Sequence, residues 1–377
     1  MKAAYSNKLG IAFLWFMACT SLFFLMASNL ASLLPSNTYW MVAIAGLLFP
    51  AAFIVNAVGL LIIGFIKHRL AWLFFVMLLI SIPNITKTIA FNTKKMNGNE
   101  MAGDFITVMS WNVGIMNFSA PDSLTAIKEN KNIFQEIKNS DADVVCLQEF
   151  FTALYPGSHY NLLDSITRTM KYPYHYFSKD LQYFSSEFYS GSVIFSRFPI
   201  VDTNRVSFTD GSNGAIIKVT IIKGGERIDL ITSRLQSVYL NGYDYATLGM
   251  ERKEKKIWKG VPSIVRKLKY GFQHRARQVE LLDSMVKNSR NALITCVDLN
   301  DTPTGNAYQT LNKKMIDVWR KCGSGLGRTF KLFSPTLRID YIFCTDFFEP
   351  ITIQRVKSSG SDHLALIAQL RIKKGVE

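Results

Sequence analysis

The chain has 377 residues, of which 49% are hydrophobic, and a formal net charge of +15. This length accommodates one large domain with additional segments, and the hydrophobic content is high for a wholly soluble protein. Five cysteines without a CxxC or Cys/His spacing exclude a disulfide-based fold and give no zinc-binding pattern.

The first 91 residues contain no Asp or Glu and carry three apolar stretches, at about residues 11–34, 40–66 and 70–82. The first two exceed the roughly 20 residues that cross a bilayer as a helix. The third is shorter and is followed by Pro83 and Lys87, so it is either a span or a helix at the membrane surface. Residues 1–91 are therefore predicted to be a membrane region with two to three transmembrane helices.

Basic residues predict the orientation of this region. Lys67 and Arg69 lie between the second and third apolar stretches, two lysines precede the first, and the loop 35–39 carries no charge. The positive-inside rule then places the N-terminus and the Lys67–Arg69 turn in the cytoplasm. Three spans would put the rest of the chain outside the cytoplasm, and two would put it inside. We expect a multi-pass protein of the inner membrane whose larger domain faces the non-cytoplasmic side.

The remainder of the chain follows a polar linker at residues 92–104. Over residues 105–377, short β-rich runs alternate with longer amphipathic stretches, which predicts one α/β domain with a large sheet core. The predicted strands are 105–111, 143–147, 192–196, 215–222, 227–232, 292–297, 338–344 and 364–371. The predicted helices are 123–139, 158–169, 275–287 and 305–311.

Two of the predicted strands end in polar residues. Asn112 follows the first strand, where it can orient a carboxylate, contact a phosphate or simply form a turn. Glu149 ends the buried run that begins at Asp143, and a buried acid without a partner is costly. A cation or a basic side chain should therefore lie near Glu149, which makes it the first candidate metal ligand.

A third strand carries Asp298 and Asn300 near its end. Period-two alternation places both side chains on one face, so that a carboxylate and an amide meet at one point. Asp298 can orient an attacking water molecule, and Asn300 can polarise a phosphoryl oxygen. Asp301 falls on the other face and is expected to cap the turn before Pro303.

The last polar group is Ser361-Asp362-His363. Among the five histidines, only His363 is preceded by an acid in this way. A carboxylate that fixes a histidine tautomer is a common arrangement, and Asp340 is the candidate for that role. Each of these polar residues has a structural explanation when taken singly, and only their succession indicates a site.

In this order, the residues resemble the endonuclease/exonuclease/phosphatase superfamily. That group includes DNase I-like nucleases, exonuclease III-type enzymes, neutral sphingomyelinases and inositol polyphosphate phosphatases. The similarity covers about residues 105–371, and Ser190 to Pro199 looks like the central strand of the superfamily. The apolar N-terminus ahead of it resembles a bacterial membrane branch. The motif residues are Asn112, Glu149, Asp298-x-Asn300, Asp340 and Asp362-His363.

The resemblance implies a four-layer α/β/β/α sandwich and a divalent cation, Mg²⁺ or Mn²⁺. The implied metal ligands are Glu149, Asp362 and Asn112. The catalytic residues that it implies are Asp298 and Asn300, which align water and the phosphoryl group, and His363, which acts on the scissile phosphate and is oriented by Asp340.

Arg234 is a departure from the family pattern. It stands where many members have the histidine of a Thr-His-Leu sequence that contacts the phosphate. Arginine can stabilise a pentacoordinate phosphate, but it cannot donate a proton near neutral pH. Protonation of the leaving oxygen would then fall to metal-bound water or another group. Together with Asn112 and Asn300, Arg234 is expected to contact the substrate.

The sequence thus predicts a membrane-anchored, metal-dependent phosphoesterase of the nuclease, phosphodiesterase or phosphatase type. The alternative is a degenerate domain that binds phosphorylated ligands without cleaving them. The expected partners are a phosphate ester, either nucleic acid or a phospholipid headgroup, and membrane lipid, with no obligate protein partner evident. The basic stretch at about 252–290 can follow a nucleic-acid backbone or lie on anionic lipid.

Overall fold

The computed structural model describes residues 2–65, 69–92, 103–117, 123–155, 158, 160–183, 187–238, 257–332 and 334–373. Most of the predicted linker, residues 93–102, and the start of the basic stretch, residues 251–256, lie outside these ranges.

The N-terminal region is a bundle of five helices. Phe13–Leu30 is long and apolar enough to cross a membrane, and the two bent helix pairs that follow raise the number of candidate spans to three if each pair is one span. The second pair covers the weak third apolar stretch. The bends, of 66° and 51°, each precede a proline in the first turn of the next helix, where proline is tolerated. The helices are α1 (Lys2–Leu30), α2 (Trp40–Leu47), α3 (Phe49–Phe65), α4 (Ala71–Ile80) and α5 (Ile82–Thr88).

The interior of this bundle contains polar side chains that join the helices. Asn29 donates from Nδ2 to the Ser81 hydroxyl at 2.8 Å, and Asn84 donates to the Asn29 Oδ1 at 3.0 Å. All three residues are buried. In apolar surroundings, such hydrogen bonds between helices stabilise the packing, and here they fasten α1 to the bend between α4 and α5.

The rest of the chain forms strands and short helices. The strands are β1 (Ala90–Phe91), β2 (Phe105–Asn112), β3 (Val144–Ala153), β4 (Tyr174–Phe177), β5 (Leu181–Tyr183), β6 (Phe188–Ser196), β7 (Ile200–Ser207), β8 (Ala215–Lys223), β9 (Glu226–Arg234), β10 (Ala292–Asp298), β11 (Ile316–Asp317), β12 (Ser324–Gly325), β13 (Asp340–Cys344), β14 (Phe348–Val356) and β15 (Ala365–Ile372). The helices are α6 (Ser123–Ser140), α7 (Leu162–Thr169), α8 (Ile257–Asn288), α9 (Asn306–Asn312) and α10 (Val318–Cys322), with a 3-10 helix at Gly114–Asn117.

Two sheets form the centre of the domain. One has the order β14-β15-β2-β3-β6-β4, with β5 also paired to β6, and the other has the order β11-β13-β10-β9-β8-β7. The parallel pairs β2–β3 and β9–β10 bring the ends of all four strands, with their polar residues, to one edge of the sandwich.

Three hydrophobic clusters define the layers. The first fills the space between the two sheets, with Val108 and Cys146 from one sheet and Leu230 and Ile294 from the other. The second packs α6 and α7 on the outer face of the β2–β3 sheet, and the third packs α8 and α9 on the outer face of the β9–β10 sheet. The four-layer α/β/β/α sandwich is therefore confirmed.

Several element boundaries differ from those predicted. Helix α8 begins at Ile257 instead of 275, and α7 begins at Leu162, where the Asn161 side chain accepts a hydrogen bond from Asp164 N. Strand β7 was not predicted, because its side chains are mostly exposed and the run has no apolar alternation.

The helical bundle contacts the sandwich both before α2 and after α5. Near the start of α2, the Ser36 hydroxyl donates to Phe272 O of α8 at 3.3 Å. After α5, β1 pairs with β12, and Asn92 donates to the carbonyls of Arg320 and Gly323 at 3.0 and 2.9 Å. The loop between α1 and α2 and the end of α5 thus both contact the sandwich.

Candidate active site

His363 and Asp340 form a buried pair. Asp340 opens β13, and its backbone N–H donates to the Thr329 hydroxyl at 3.1 Å. The imidazole Nδ1 of His363 lies 2.9 and 3.0 Å from the two carboxylate oxygens of Asp340. Burial by itself would lower the pKa of His363, but the carboxylates of Asp340, Asp298 and Asp362 together raise it to about 10. His363 is therefore an imidazolium at neutral pH, and its Nε2–H can serve a phosphate oxygen.

Asp298 is the last residue of β10 and is fully buried. Its Oδ2 accepts from the amides of Asn112 and Asn300, at 3.0 and 3.1 Å. Burial and the nearby Asp340 raise the pKa of Asp298 to about 6, although His363 and Asn112 act in the other direction. A carboxylate with a pKa near the working pH is suited to accept a proton from water.

Asn300 lies beside Asp298 for a different reason from the one predicted. Strand β10 ends at Asp298, so period-two alternation does not apply. Asn300 has a φ of 48°, a left-handed conformation that turns its amide back toward Asp298 and lets it also donate to Leu235 O at 2.9 Å. Asp301 caps the next turn as predicted, accepting from the backbone N–H groups of Thr302 and Ala307 at 3.0 Å each.

Glu149 does not end its strand, contrary to the prediction. Strand β3 continues to Ala153 across a bulge between Leu147 and Phe150, and Glu149 itself has a φ of 52°. The bulge takes its side chain out of the alternation of a buried strand. Oε1 of Glu149 accepts from Asn112 Nδ2 at 2.9 Å. A carboxylate is thereby supplied to the cleft from inside a hydrophobic strand.

Arg234 ends β9 and is the basic partner expected beside Glu149. Its Nε lies 2.6 Å from Glu149 Oε1 and 3.9 Å from Asp298 Oδ2. Burial would raise the pKa of Glu149, but Arg234, Asn112 and His363 together hold it below its ordinary value. The guanidinium thus lies between the two carboxylates and keeps Glu149 ionised.

Asp362 is the most exposed of the acids in this group, with 48% of its side chain accessible. Its Oδ1 lies 4.0 Å from His363 Nε2. The adjacent Ser361 hydroxyl donates to Asn112 O at 2.6 Å and accepts from His363 N at 3.0 Å, which ties this loop to the end of β2. Every site residue predicted from the sequence therefore lies in one connected group.

Two sets of side chains in this group carry atoms of the type that bind metal ions. Ligand atoms of Asp298, Asp340 and His363 lie within 4.8 Å of one another, but the His363 Nδ1 is already hydrogen-bonded to the Asp340 carboxylate, so an ion held by both groups would have to separate them. Glu149 and Asp362 are partly exposed and offer hard oxygen ligands, which fit Mg²⁺ or Mn²⁺. The contacts of Glu149 with Asn112 and Arg234 both use Oε1.

The cleft beside these residues has a volume of about 230 Å³. Glu149 and Arg234 line it. The other lining residues come mainly from the region of β5 and β6 and from the turn before β8; they include Asp180, Tyr183, Ser190, Ser192 and Asn213.

Sequence reasoning missed residues that support the site from behind. Gln148 is fully buried, and its Nε2 donates to the Thr232 hydroxyl at 2.9 Å, which joins the two sheets beneath Glu149. The hydroxyl of Thr329 accepts from the backbone N–H groups of Ile339 and Asp340. A polar residue next to Glu149 in an apolar run was a usable signal for Gln148, whereas Thr329 gave none.

Comparisons with known proteins agree with this architecture. A family model described as endonuclease/exonuclease/phosphatase family matches residues 109–363, and one described as a domain of unknown function matches residues 11–88. No curated protein showed a match. An endonuclease/exonuclease/phosphatase from Bacteroides vulgatus is 17% identical, with a TM-score of 0.52, and covers 72% of this chain and 100% of its own. One from Beutenbergia cavernae is 22% identical, with a TM-score of 0.50, and covers 71% and 72%. At these identities the two structures show the fold alone.

Proposed function

Because this chain belongs to the endonuclease/exonuclease/phosphatase family, we propose that it is a membrane-anchored phosphoesterase that depends on a divalent cation. The main observation behind the proposal is that the Asn112 amide donates to both Glu149 and Asp298, at 2.9 and 3.0 Å. Two carboxylates that lie far apart in the sequence therefore meet in one centre. Arg234 joins the same two carboxylates from the other sheet.

Metal binding is assigned to Glu149 and Asp362, with Asn112 as an additional oxygen donor. The ion, Mg²⁺ or Mn²⁺, would neutralise the negative charge that develops on the phosphoryl group and lower the pKa of water. Arg234 already satisfies part of the charge of Glu149, so the ion would compete with the guanidinium for this carboxylate. Asn112 holds the carboxylate in place for either partner.

Side chains of the site carry out the proton transfers and bind the phosphoryl group. Asp298 accepts a proton from the attacking water, and its two amide contacts fix the direction of its carboxylate. His363 presents an N–H to a phosphoryl oxygen or to the leaving oxygen, and Asp340 holds the ring in place. Arg234 donates to the phosphoryl oxygens. The amide hydrogens of Asn300 go to Asp298 and to Leu235 O, so this side chain holds the Asp298 carboxylate in place. Because arginine cannot release its proton, the imidazolium of His363 is the group we assign to protonate the leaving oxygen.

The contacts that the bundle makes with the sandwich before α2 and after α5 support a three-span topology. The α1–α2 loop and the residues after α5 both reach the sandwich, so they leave the bundle on the same side. If α2 and α3 cross the bilayer together, α4 and α5 must cross back. Arg69 lies at the opposite turn, between α3 and α4, and Lys67 is close to it in the sequence, so the positive-inside rule puts the sandwich outside the cytoplasm. Protease digestion of intact cells and of inverted vesicles tests this: cleavage in inverted vesicles alone would contradict it.

The phosphoesterase activity is tested with two substitutions in the full-length protein. Glu149→Gln and His363→Ala should each reduce metal-dependent hydrolysis of bis(p-nitrophenyl) phosphate by about 100-fold or more. Glu349→Gln is the matched control, because Glu349 pairs with Arg371 on the surface at the far end of β15. Undiminished turnover in both site variants would refute the mechanism.

A binding domain without catalysis is the second candidate, and the 2.6 Å contact between Arg234 and Glu149 favours it. In that case the guanidinium would replace the metal ion permanently. Phosphorylated ligands would bind equally well with and without a chelator, and no substrate would be turned over in Mg²⁺ or Mn²⁺.

A further inference from the structure

Building on the proposed phosphoesterase activity, we propose that the substrate is the headgroup phosphodiester of a bilayer phospholipid. Two independent observations support a lipid over a nucleic acid. The helical bundle is joined directly to the catalytic segments, and the cleft residues that the structure describes include one basic side chain, where a polyanion requires several.

The first connection joins α2 to the catalytic turn after β10. The Thr304 hydroxyl donates to Gly46 O at 2.8 Å in a buried contact. Thr304 follows Asn300 by four residues, so their Cα atoms are at most about 14 Å apart. The carbonyl of Gly46 belongs to a helix of the bundle, so the catalytic turn lies directly beside the membrane region.

The second connection joins the end of α5 to β13. Arg338 is buried and donates from Nη1 to Asp317 at 2.7 Å and from Nη2 to Lys87 O at 2.8 Å. Arg338 precedes Asp340 by two residues, which limits their Cα separation to about 7 Å. The catalytic segments at β10 and β13 are thus fixed to the bundle, and a substrate anchored in the same bilayer is within reach.

The charge of the cleft argues against a nucleic acid. Among its described lining residues, Glu149 and Asp180 are acidic and Arg234 alone is basic. A nucleic-acid strand brings one phosphate about every 3.4 Å and needs several cations along its path. One guanidinium and one metal ion instead suit a single phosphodiester. The uncharged polar groups of Tyr183, Ser190 and Asn213 suit a small polar headgroup.

A concentration of positive charge lies elsewhere, on α8. Residues 257–279 contain no acid, and Arg266 and Lys269 are exposed. This part of α8 touches the bundle, where Lys269 Nζ lies 5.3 Å from the centre of the Trp40 ring. A basic helix at this level suits the anionic headgroups of a bilayer surface.

The reaction is a hydrolysis. The oxygen of water forms a bond to phosphorus, and the phosphorus–oxygen bond to one alcohol breaks. One proton of the water passes to the leaving oxygen and the other to the buffer, which gives a phosphomonoester and a free alcohol. No oxidant, reductant or second substrate is needed.

The experiment compares three substrates with the full-length protein in detergent micelles and Mg²⁺. They are a mixture of phosphatidylethanolamine and phosphatidylglycerol, a single-stranded DNA and RNA oligonucleotide pair, and soluble bis(p-nitrophenyl) phosphate. We expect the phospholipid to be hydrolysed at least tenfold faster than either oligonucleotide, as measured by phosphorus NMR and gel electrophoresis. Oligonucleotide cleavage with intact phospholipid would overturn the lipid proposal, as would turnover of the soluble diester alone, and both results would leave the phosphoesterase activity standing. No turnover of any substrate would refute both.

A pair of charge-reversal variants sharpens the test. Arg266→Glu should lower hydrolysis of phosphatidylglycerol severalfold and leave the soluble diester unaffected. Arg227→Glu makes the same change of charge on an exposed residue at the start of β9, at the opposite end of the strand from Arg234, and should affect neither. Equal losses in the two variants would count against contact between α8 and anionic phospholipid headgroups.

Discussion

Replacing Arg234 by glutamine should have two opposite effects. The guanidinium contacts Glu149 at 2.6 Å, so a metal ion at that carboxylate must compete with it. The guanidinium is also assigned to the phosphoryl oxygens, where it stabilises the transition state. Arg234→Gln should therefore bind Mg²⁺ more tightly and turn over more slowly.

The size of each effect follows from the exposure of the pair. The side chains of Arg234 and Glu149 are 22% and 23% exposed, between the surface pairs that contribute up to about 1 kcal/mol and the buried pairs whose disruption costs about 3–5 kcal/mol. A contribution of about 1–2 kcal/mol corresponds to a gain of roughly 5–30-fold in metal affinity. Loss of one donor to the developing oxyanion should lower kcat by about 100-fold or more.

Isothermal titration calorimetry with Mg²⁺ measures the first effect, and steady-state hydrolysis of bis(p-nitrophenyl) phosphate measures the second. Arg227→Gln is the control, because Arg227 lies on the same strand about 23 Å from Arg234 and is exposed. Unchanged or weaker metal binding in Arg234→Gln would refute competition for Glu149. Unchanged kcat would remove Arg234 from the transition state.

Three further predictions concern other parts of the molecule. Asp340→Asn should lower the pKa of His363 from about 10 toward or below its ordinary 6.5, because burial then dominates. The alkaline limb of the pH–rate profile should therefore move to lower pH. An imidazole that still titrates near 10 by NMR would contradict this. Burial would raise the pKa of Asp229, but hydroxyl, amide and lysine partners hold it below its ordinary value. The ionised carboxylate therefore stabilises the folded protein above the ordinary pKa of an aspartate, and this stabilisation is lost on acidification. The thermal midpoint of the protein should fall between about pH 5 and 3, and it should fall less in Asp229→Asn; parallel curves would argue against this carboxylate. Thr304→Val removes the buried hydrogen bond to Gly46 and should cost about 0.5–1.5 kcal/mol of unfolding free energy, seen as a lower midpoint in calorimetry, whereas an unchanged midpoint would show that this contact does not fasten the bundle.

Much of the fold and the membership of the site could be predicted from the sequence. Buried strands such as β2 and β10 are continuous apolar runs, and their period and length are local properties. The acid-free region before residue 92 likewise identifies the apolar bundle by composition alone. The site residues from Asn112 to His363 could be identified because each polar residue interrupts an apolar run. A buried polar side chain without a partner is costly there, so a partner is expected.

The tertiary structure decided how these residues meet. The left-handed conformations of Glu149 and Asn300 depend on a bulge and a turn that surrounding contacts hold in place, so residue type and spacing alone gave the wrong local geometry for both. The contact between Arg234 and Glu149 joins two sheets, and the bonds from Thr304 and Arg338 join the catalytic segments to the helical bundle. Each is a pairing between segments far apart in the chain, and such pairings are selected by packing of the whole fold and leave no periodic trace in the sequence.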